Sequence, residues 1–310
     1  MKRVTKKIIS VVLAVMMMVS VLSVASSAAT KKTVGTYKVY LDLGDSISTG
    51  FSLKGYNRAK HWSETKGSYP SYISDWVGAK KSYWYSQDGF RTSEIRQLLD
   101  TDYSGDLMTD AELPKNTENY WNSTTLKKYR SAYRKAVKKA DIITLNIGFN
   151  DIWYPIIYMA HTLGLEDGET DYAQLIKNYA LLGVEATQAM YQELAEFYVN
   201  YAAIVNTIYE LNPDVTLVTL STYNPTAGWS LPAENGVPFG KATTPIYVAM
   251  NAYKKMFENT YDNYYYVDVD DVEVRTATFP GLGNGFDPHP TEAGHKWMAK
   301  QILKVLPAKK

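Results

Sequence analysis

Five short runs rich in Val, Ile, Tyr and Thr, separated by helical stretches, constrain this chain more than any other feature. They cover residues 37–43, 82–86, 141–147, 214–221 and 264–269. The third and fourth, DIITLNI and DVTLVTLS, are apolar almost throughout instead of at alternate positions. A strand reads that way when both faces of its sheet are covered, as in a parallel sheet. The segments at about 71–76, 92–99, 126–139, 172–211, 245–259 and 291–303 read as helices. Alternation of strand and helix predicts an α/β fold, doubly wound in three layers around a central parallel sheet.

One connection breaks the rhythm. About 153–211 separates the third and fourth strands by far more than a usual crossover, and much of it has helical spacing, with Leu175, Ile176, Tyr179, Leu182 and Val184 on one stripe. It reads as a helical insertion, a cap or wall for a substrate site if it is more than extra packing. The chain begins with Lys2, Arg3, Lys6 and Lys7, continues as an apolar stretch from Ile8 to about Val24, and then turns to small residues through Ala29. Basic, apolar and small in that order is the pattern of a secretory signal peptide over residues 1–29, leaving 30–310 as one mature domain. The apolar stretch is long enough to span a bilayer, and the small-residue site after it decides for cleavage.

Loss of those four positive charges and no acid moves the formal charge from +1 to −3. A mildly acidic exported domain gives no case for nucleic-acid binding. With no Cys, the chain has neither disulfides nor a lipoprotein anchor, and about 280 residues bury enough apolar surface without staples. The segment 126–139 carries Lys127, Lys128, Arg130, Arg134, Lys135, Lys138 and Lys139, read as a solvated helix face in preference to a grip on an anionic polymer. Tyrosine clusters such as Tyr83, Trp84 and Tyr85 are read as strand packing with hydroxyls at sheet ends.

In a doubly wound sheet, ligands bind beyond the carboxyl ends of the strands. Gly44, Asp45 and Ser46 follow the first strand, Asp88 and Gly89 the second, and Gly148 to Asp151 the third, while Asp287 to Pro290 precede the terminal helix. These residue types suit acyl transfer. A serine hydroxyl needs a base to take its proton during attack, and His289 is the candidate for Ser46. The oxyanion needs preorganised donors, which the N–H groups of Ser46 and Gly89 and the amide of Asn150 can supply. A carboxylate beside His289 would hold its tautomer. Asp287 is close in sequence, and Asp268, Asp270 and Asp271 at the end of the fifth strand are the alternatives.

Taken together, LDLGDSIS, SQDGFRTSEI, LNIGFNDIW and FDPHPTEAGH resemble the four blocks of the SGNH, or GDSL-type, hydrolases, and the match runs through essentially the whole mature chain. VTLVTLSTYNP is similar to the fourth-strand region of bacterial lipase-like members. The resemblance implies a flavodoxin-like parallel sheet with Ser46 as nucleophile, His289 as base, Gly89 and Asn150 in the oxyanion hole, and ester hydrolysis without metal or organic cofactor. The family pattern commonly sets its acid three positions before the histidine. Here that position is Phe286, and Asp287 stands one residue closer with Pro288 between. Asp-x-His forms are familiar in bacterial members, so Asp287 is the assigned acid.

Asp151 reads as a cap or a local hydrogen-bonding residue, and His295 as a packed residue of the last helix. His61 reads as a surface residue and His161 has no visible partner. The function expected is a secreted esterase of acyl or acetyl esters, with acylated polysaccharide as the favoured substrate. A lipase or lysophospholipase, or an acyltransferase, would use the same machinery. A binding module without turnover would not need the complete set Ser46, Gly89, Asn150 and His289.

Overall fold

The computed structural model describes residues 37–57, 59–60, 62–103, 123–154, 172–228, 238–276 and 287–307, with side chains of the long helix from residue 187 onward. Five strands form one sheet: β1 Val39–Gly44, β2 Lys81–Trp84, β3 Ile142–Asn146, β4 Thr216–Leu220 and β5 Tyr264–Val267. Their order is β2-β1-β3-β4-β5, and every pair is parallel. This is the doubly wound sheet expected from the alternation, in the flavodoxin-like order that the family resemblance implies, with its switch point between β1 and β3. There Gly44 stands opposite Asn146, so the two strands end side by side.

All residues of β3 and β4 are buried. Ile142, Ile143, Leu145, Leu217, Val218 and Leu220 are fully enclosed, which is why these runs read as continuously apolar. The threonines among them are partnered inside the core. Tyr40 OH lies 2.6 Å from Thr144 Oγ1, and Thr219 Oγ1 donates to Leu145 O at 3.2 Å. Hydroxyls buried this way avoid the cost of an unmet hydrogen bond.

Among the described residues seven α-helices accompany the sheet: α1 Ser46–Thr49, α2 Tyr69–Trp76, α3 Thr92–Leu99, α4 Ser123–Lys139, α5 Tyr172–Leu211, α6 Phe239–Met256 and α7 Glu292–Val305. α2 packs against α7, whereas α3 packs against α4 and α5, and α5 against α6. α5 is the helical part of the expected insertion, and Phe197, Tyr201, Ile204, Val205 and Ile208 bury its inner face. Residues 155–171 of that insertion lie outside the described residues.

α4 fits the expected solvated face in its lysines and departs from it in two arginines. Its lysines are exposed, but Arg130 donates to Gln97 O, Thr101 O and Tyr103 O, and Arg134 to Leu99 O. The two guanidinium groups satisfy carbonyls that the end of α3 leaves without helical partners. α6 starts six residues before Pro245, the first residue expected to be helical, and carries that proline inside its second turn.

Outside the main sheet, β6 Val274–Thr276 and β7 Asp287–Pro290 form an antiparallel ribbon, with Thr276 opposite Asp287 and Val274 opposite Pro290. The sequence pattern does not mark this ribbon. Two prolines in a four-residue strand argue against a central strand but are tolerated on an edge.

Candidate active site

The site is built where β1, the loop after β2 and the turn after β3 meet the ribbon. β1 ends at Gly44, where a Cβ would come within 2.3 Å of Ser48 Oγ and 2.6 Å of Asn146 O, so only glycine lets the chain turn there. Asp45 caps α1, its Oδ1 accepting from Ile47 N at 2.9 Å. Ser46 is the first helical residue, so its N–H stands outside the helical ladder. Ser48 points the other way, its Oγ 2.7 Å from Tyr69 OH in the core.

On the opposing side, His289 Nε2 lies 2.9 Å from Ser46 Oγ, and His289 Nδ1 lies 2.7 Å from Asp287 Oδ1. Asp287 Oδ1 also accepts from His289 N at 3.1 Å. Burial alone would raise the Asp287 carboxyl, but its hydrogen bonds to His289 outweigh that and hold it below the usual carboxylate range. The Phe51 ring packs on the imidazole with centroids 4.6 Å apart, and Tyr223 OH donates to Pro288 O at 2.6 Å. Both contacts fix the ribbon over the sheet end.

Gly89 lies at φ +78° in the loop after β2, a conformation that disfavours any side chain, and Tyr154 OH donates to its carbonyl at 2.9 Å. Asn150 Nδ2 donates to Phe90 O at 2.9 Å, tying the turn after β3 to the same loop. One amide N–H is thereby used and the other is directed by it. Asp151 accepts from Thr92 N at 3.0 Å and from Thr92 Oγ1, so it caps the start of α3 as the sequence suggested. Burial pushes its carboxyl up to about 6 even with those bonds.

Several expected alternatives go elsewhere. Asp270 accepts from Ser221 Oγ at 2.6 Å, and Asp268 accepts from Asp270 N at 3.0 Å. His295 is fully buried, and its Nδ1 accepts from Tyr69 N at 3.3 Å. Burial, with lesser contributions from the His289 and Arg275 charges, pushes its imidazole down to about 3. His61 and His161 lie outside the described residues.

Two buried groups below the site were not foreseen. Burial pushes the Asp45 carboxyl up to about 7, while the Ile47 hydrogen bond and the Lys254 charge work against it. Lys254, on α6, is fully enclosed, and burial pushes its ammonium down to about 7. The sequence signal for it is its place four residues after the buried Met250, on the inward face of a helix. Next to the Ser46 loop, a polar cavity of about 20 Å³ is lined by Thr49, Tyr56, Asn57, Trp84, Gln87 and Asp88 among others. Thr49 Oγ1 donates to Asp88 Oδ1 at 2.6 Å along its wall.

A five-stranded parallel sheet with helices on both sides and a serine at the end of β1 has the architecture of the SGNH hydrolases. The chain belongs to the GDSL-like lipase/acylhydrolase family, whose model matches residues 43–297, and it is thereby a hydrolase of ester bonds. Among solved structures it is similar to phospholipase A1 from Streptomyces albidoflavus NA297, with TM-score 0.52 and 16% identity over 87% of this chain and 98% of that one. An extracellular lipase from Streptomyces rimosus gives TM-score 0.50 and 17% identity at the same coverage. The lipase Lip_vut3 from a goat rumen metagenome gives 0.51 and 16%, again at that coverage. These likenesses are of fold. No curated protein sequence matches the chain. Among the described residues, no helix is long and apolar enough to cross a membrane.

Proposed function

We propose that the protein is an exported serine esterase with Ser46 as nucleophile, His289 as general base and Asp287 as the acid that orients it. The observation that carries the reading is the unbroken run of contacts from Asp287 Oδ1 through both imidazole nitrogens to Ser46 Oγ, at 2.7 and 2.9 Å. Ser46 Oγ attacks the ester carbonyl carbon as His289 Nε2 takes its proton. The N–H groups of Ser46 and Gly89 and the free N–H of the Asn150 amide receive the oxyanion. Collapse expels the alcohol, which takes the proton from His289, and leaves an acyl-serine. Water then attacks that acyl group with His289 again as base, and Ser46 is restored. Asp287 keeps the proton of neutral His289 on Nδ1 and stabilises the imidazolium in each step.

Residues 1–29 are assigned as the export signal and 30–310 as the catalytic domain, with the helical insertion at about 153–211. The preferred substrate is an acyl or acetyl ester of a hydroxyl-rich alcohol, such as an acylated polysaccharide. Its support is the export signal together with the richness in tyrosine, 26 of 310 residues, whose rings carry both an apolar face and a hydroxyl.

The test uses residues 30–310 and Ser46→Ala on p-nitrophenyl esters from acetyl to palmitoyl, beside acetylated xylan and pectin. Short-chain and polysaccharide turnover, lost by roughly 10⁴-fold in Ser46→Ala, supports the proposal. Preference for palmitoyl esters or phospholipid would make it a lipase. Transfer to an added alcohol in preference to water would make it an acyltransferase. Wild-type rate in Ser46→Ala would overturn the nucleophile.

A further inference from the structure

We infer that Lys254 is a positioning residue for the oxyanion site, its buried ammonium tying the end of β3 to the end of β4 and so setting the direction of Asn150. The inference rests on the role proposed above for Asn150.

Lys254 Nζ donates to Ile147 O at 2.7 Å, to Leu220 O at 2.9 Å and to Thr222 Oγ1 at 2.7 Å. An ammonium has three donors, and here each meets one neutral oxygen. Two of those oxygens belong to residues just past the carboxyl ends of β3 and β4, and the third is the last carbonyl of β4. Ile147 lies three residues before Asn150, with only Gly148 and Phe149 between. A hydrogen bond to its carbonyl therefore acts at the base of the turn that carries the amide.

That turn is held from two more directions. Gly148 sits at φ +117°, and a Cβ there would come within 2.8 Å of both Phe197 of α5 and Met250 of α6. Met250 and Lys254 are one turn apart on the same face of α6, so that helix supplies both the packing against Gly148 and the bond to Ile147 O. The rings of Phe197 and Tyr201 each lie 5.9 Å from Nζ and wall it off from water.

Packing alone does not explain a lysine here. Desolvating an ammonium is costly, and a Met or Leu would fill this space without that cost. What lysine adds is three charge-assisted hydrogen bonds from one point, each stronger than a neutral one, two to the carbonyls of Ile147 and Leu220 and one to the Thr222 hydroxyl. The end of β3 then keeps a fixed height relative to β4. Oxyanion donors need such fixity, since a displacement of about 1 Å costs on the order of 10²-fold in rate.

The experiment is a double-mutant cycle on p-nitrophenyl acetate with Lys254→Met and Asn150→Ala, folding checked by circular dichroism and thermal unfolding. Lys254→Met should lower kcat by roughly 10-fold or more with KM little changed, and should lower it by less than about 2-fold in the Asn150→Ala background. Thr222→Val removes one partner of Nζ at nearly constant volume. It should show a smaller loss with the same dependence on Asn150, and it serves as the test should Lys254→Met not fold. Equal losses with and without Asn150, from whichever variant folds, would overturn the inference while leaving the oxyanion role of Asn150 intact. A wild-type kcat in Asn150→Ala alone would instead remove that role, and the inference with it.

Discussion

Asp287→Asn tests the part of the site where the sequence pattern departs most from its family. Asp287 Oδ1 receives two hydrogen bonds from His289, from the ring at 2.7 Å and from the backbone N–H at 3.1 Å. The substitution keeps the shape and removes the charge. A hydrogen bond to a charged group is worth about 1.5–3 kcal/mol and a neutral one about 1, so the transition state, where the imidazole is cationic, loses about 1–2 kcal/mol. At 1.36 kcal/mol per decade that is roughly 10-fold. The amide adds a second loss. With its nitrogen turned to Nδ1 it donates there, the imidazole proton shifts to Nε2, and Ser46 has no acceptor. Arg275 Nε, 3.8 Å from Asp287 Oδ2, favours that turned state by attracting the amide oxygen, and the His289 N–H that donates to Oδ1 opposes it. Together the expected fall in kcat is roughly 10²-fold with KM little changed, measured by initial rates on p-nitrophenyl acetate. Because His289 holds the Asp287 carboxyl below its ordinary value, its contribution is complete above about pH 4 and is lost only as pH falls further, through the lowered value. A kcat within 3-fold of wild type would refute the reasoning. Asp270→Asn, whose carboxyl is occupied by Ser221, is the control and should change kcat far less.

Ser48→Ala should leave kcat near wild type while lowering stability by about 1 kcal/mol in urea unfolding, because it removes the shorter hydrogen bond of the buried Tyr69 hydroxyl, 2.7 Å long, and leaves the 3.5 Å bond to Asp42 Oδ1. Loss of kcat with unchanged stability would make Ser48 part of the chemistry. Asn150→Ala should cost roughly 10²-fold in kcat, and Asp151→Asn should act first on stability through the start of α3; the reverse order of kcat losses would exchange their roles. His295 titrates at about 3 when folded, against about 6.5 in the unfolded chain, so its stabilising contribution is complete above pH 6.5 and declines by about 1.4 kcal/mol per unit below it. The stability gap between wild type and His295→Asn should therefore shift by about 2 kcal/mol against wild type from pH 7 to pH 5, and a constant gap would disprove the buried neutral imidazole.

The five strands were legible because β3 and β4 are buried on both faces, which leaves no room for polar alternation along DIITLNI and DVTLVTLS. The residues proposed for the site were legible because Ser46 and Asn150 follow β1 and β3, Gly89 lies in the loop after β2 and His289 shortly precedes α7. The ribbon was not, since Pro288 and Pro290 read as loop residues, and only its pairing with residues 274–276 makes it a strand. Pro245 hid the first turn of α6, because a proline there reads as a helix start. Arg130 and Arg134 were hidden among lysines that are in fact solvated, as sequence does not say which long side chain finds a carbonyl. Lys254 was missed for a related reason. A lysine one turn after Met250 looks like the edge of a stripe, and its three acceptors come from Ile147, Leu220 and Thr222, which only the sheet brings together.

The contact between His289 and Ser46 joins positions 243 residues apart. A ribosome adding about 5–20 residues per second exposes the serine roughly 10–50 s before the histidine is made. On the proposed roles, Ser46 lacks its base through that interval, and the nascent chain hydrolyses no ester. Because Ser46 follows β1 and His289 stands on β7, the gain of esterase activity during refolding reports the closing of a loop of 243 residues. A fluorescence change in the tryptophans near β2, at positions 62 and 84, should precede that gain of activity in a stopped-flow refolding experiment.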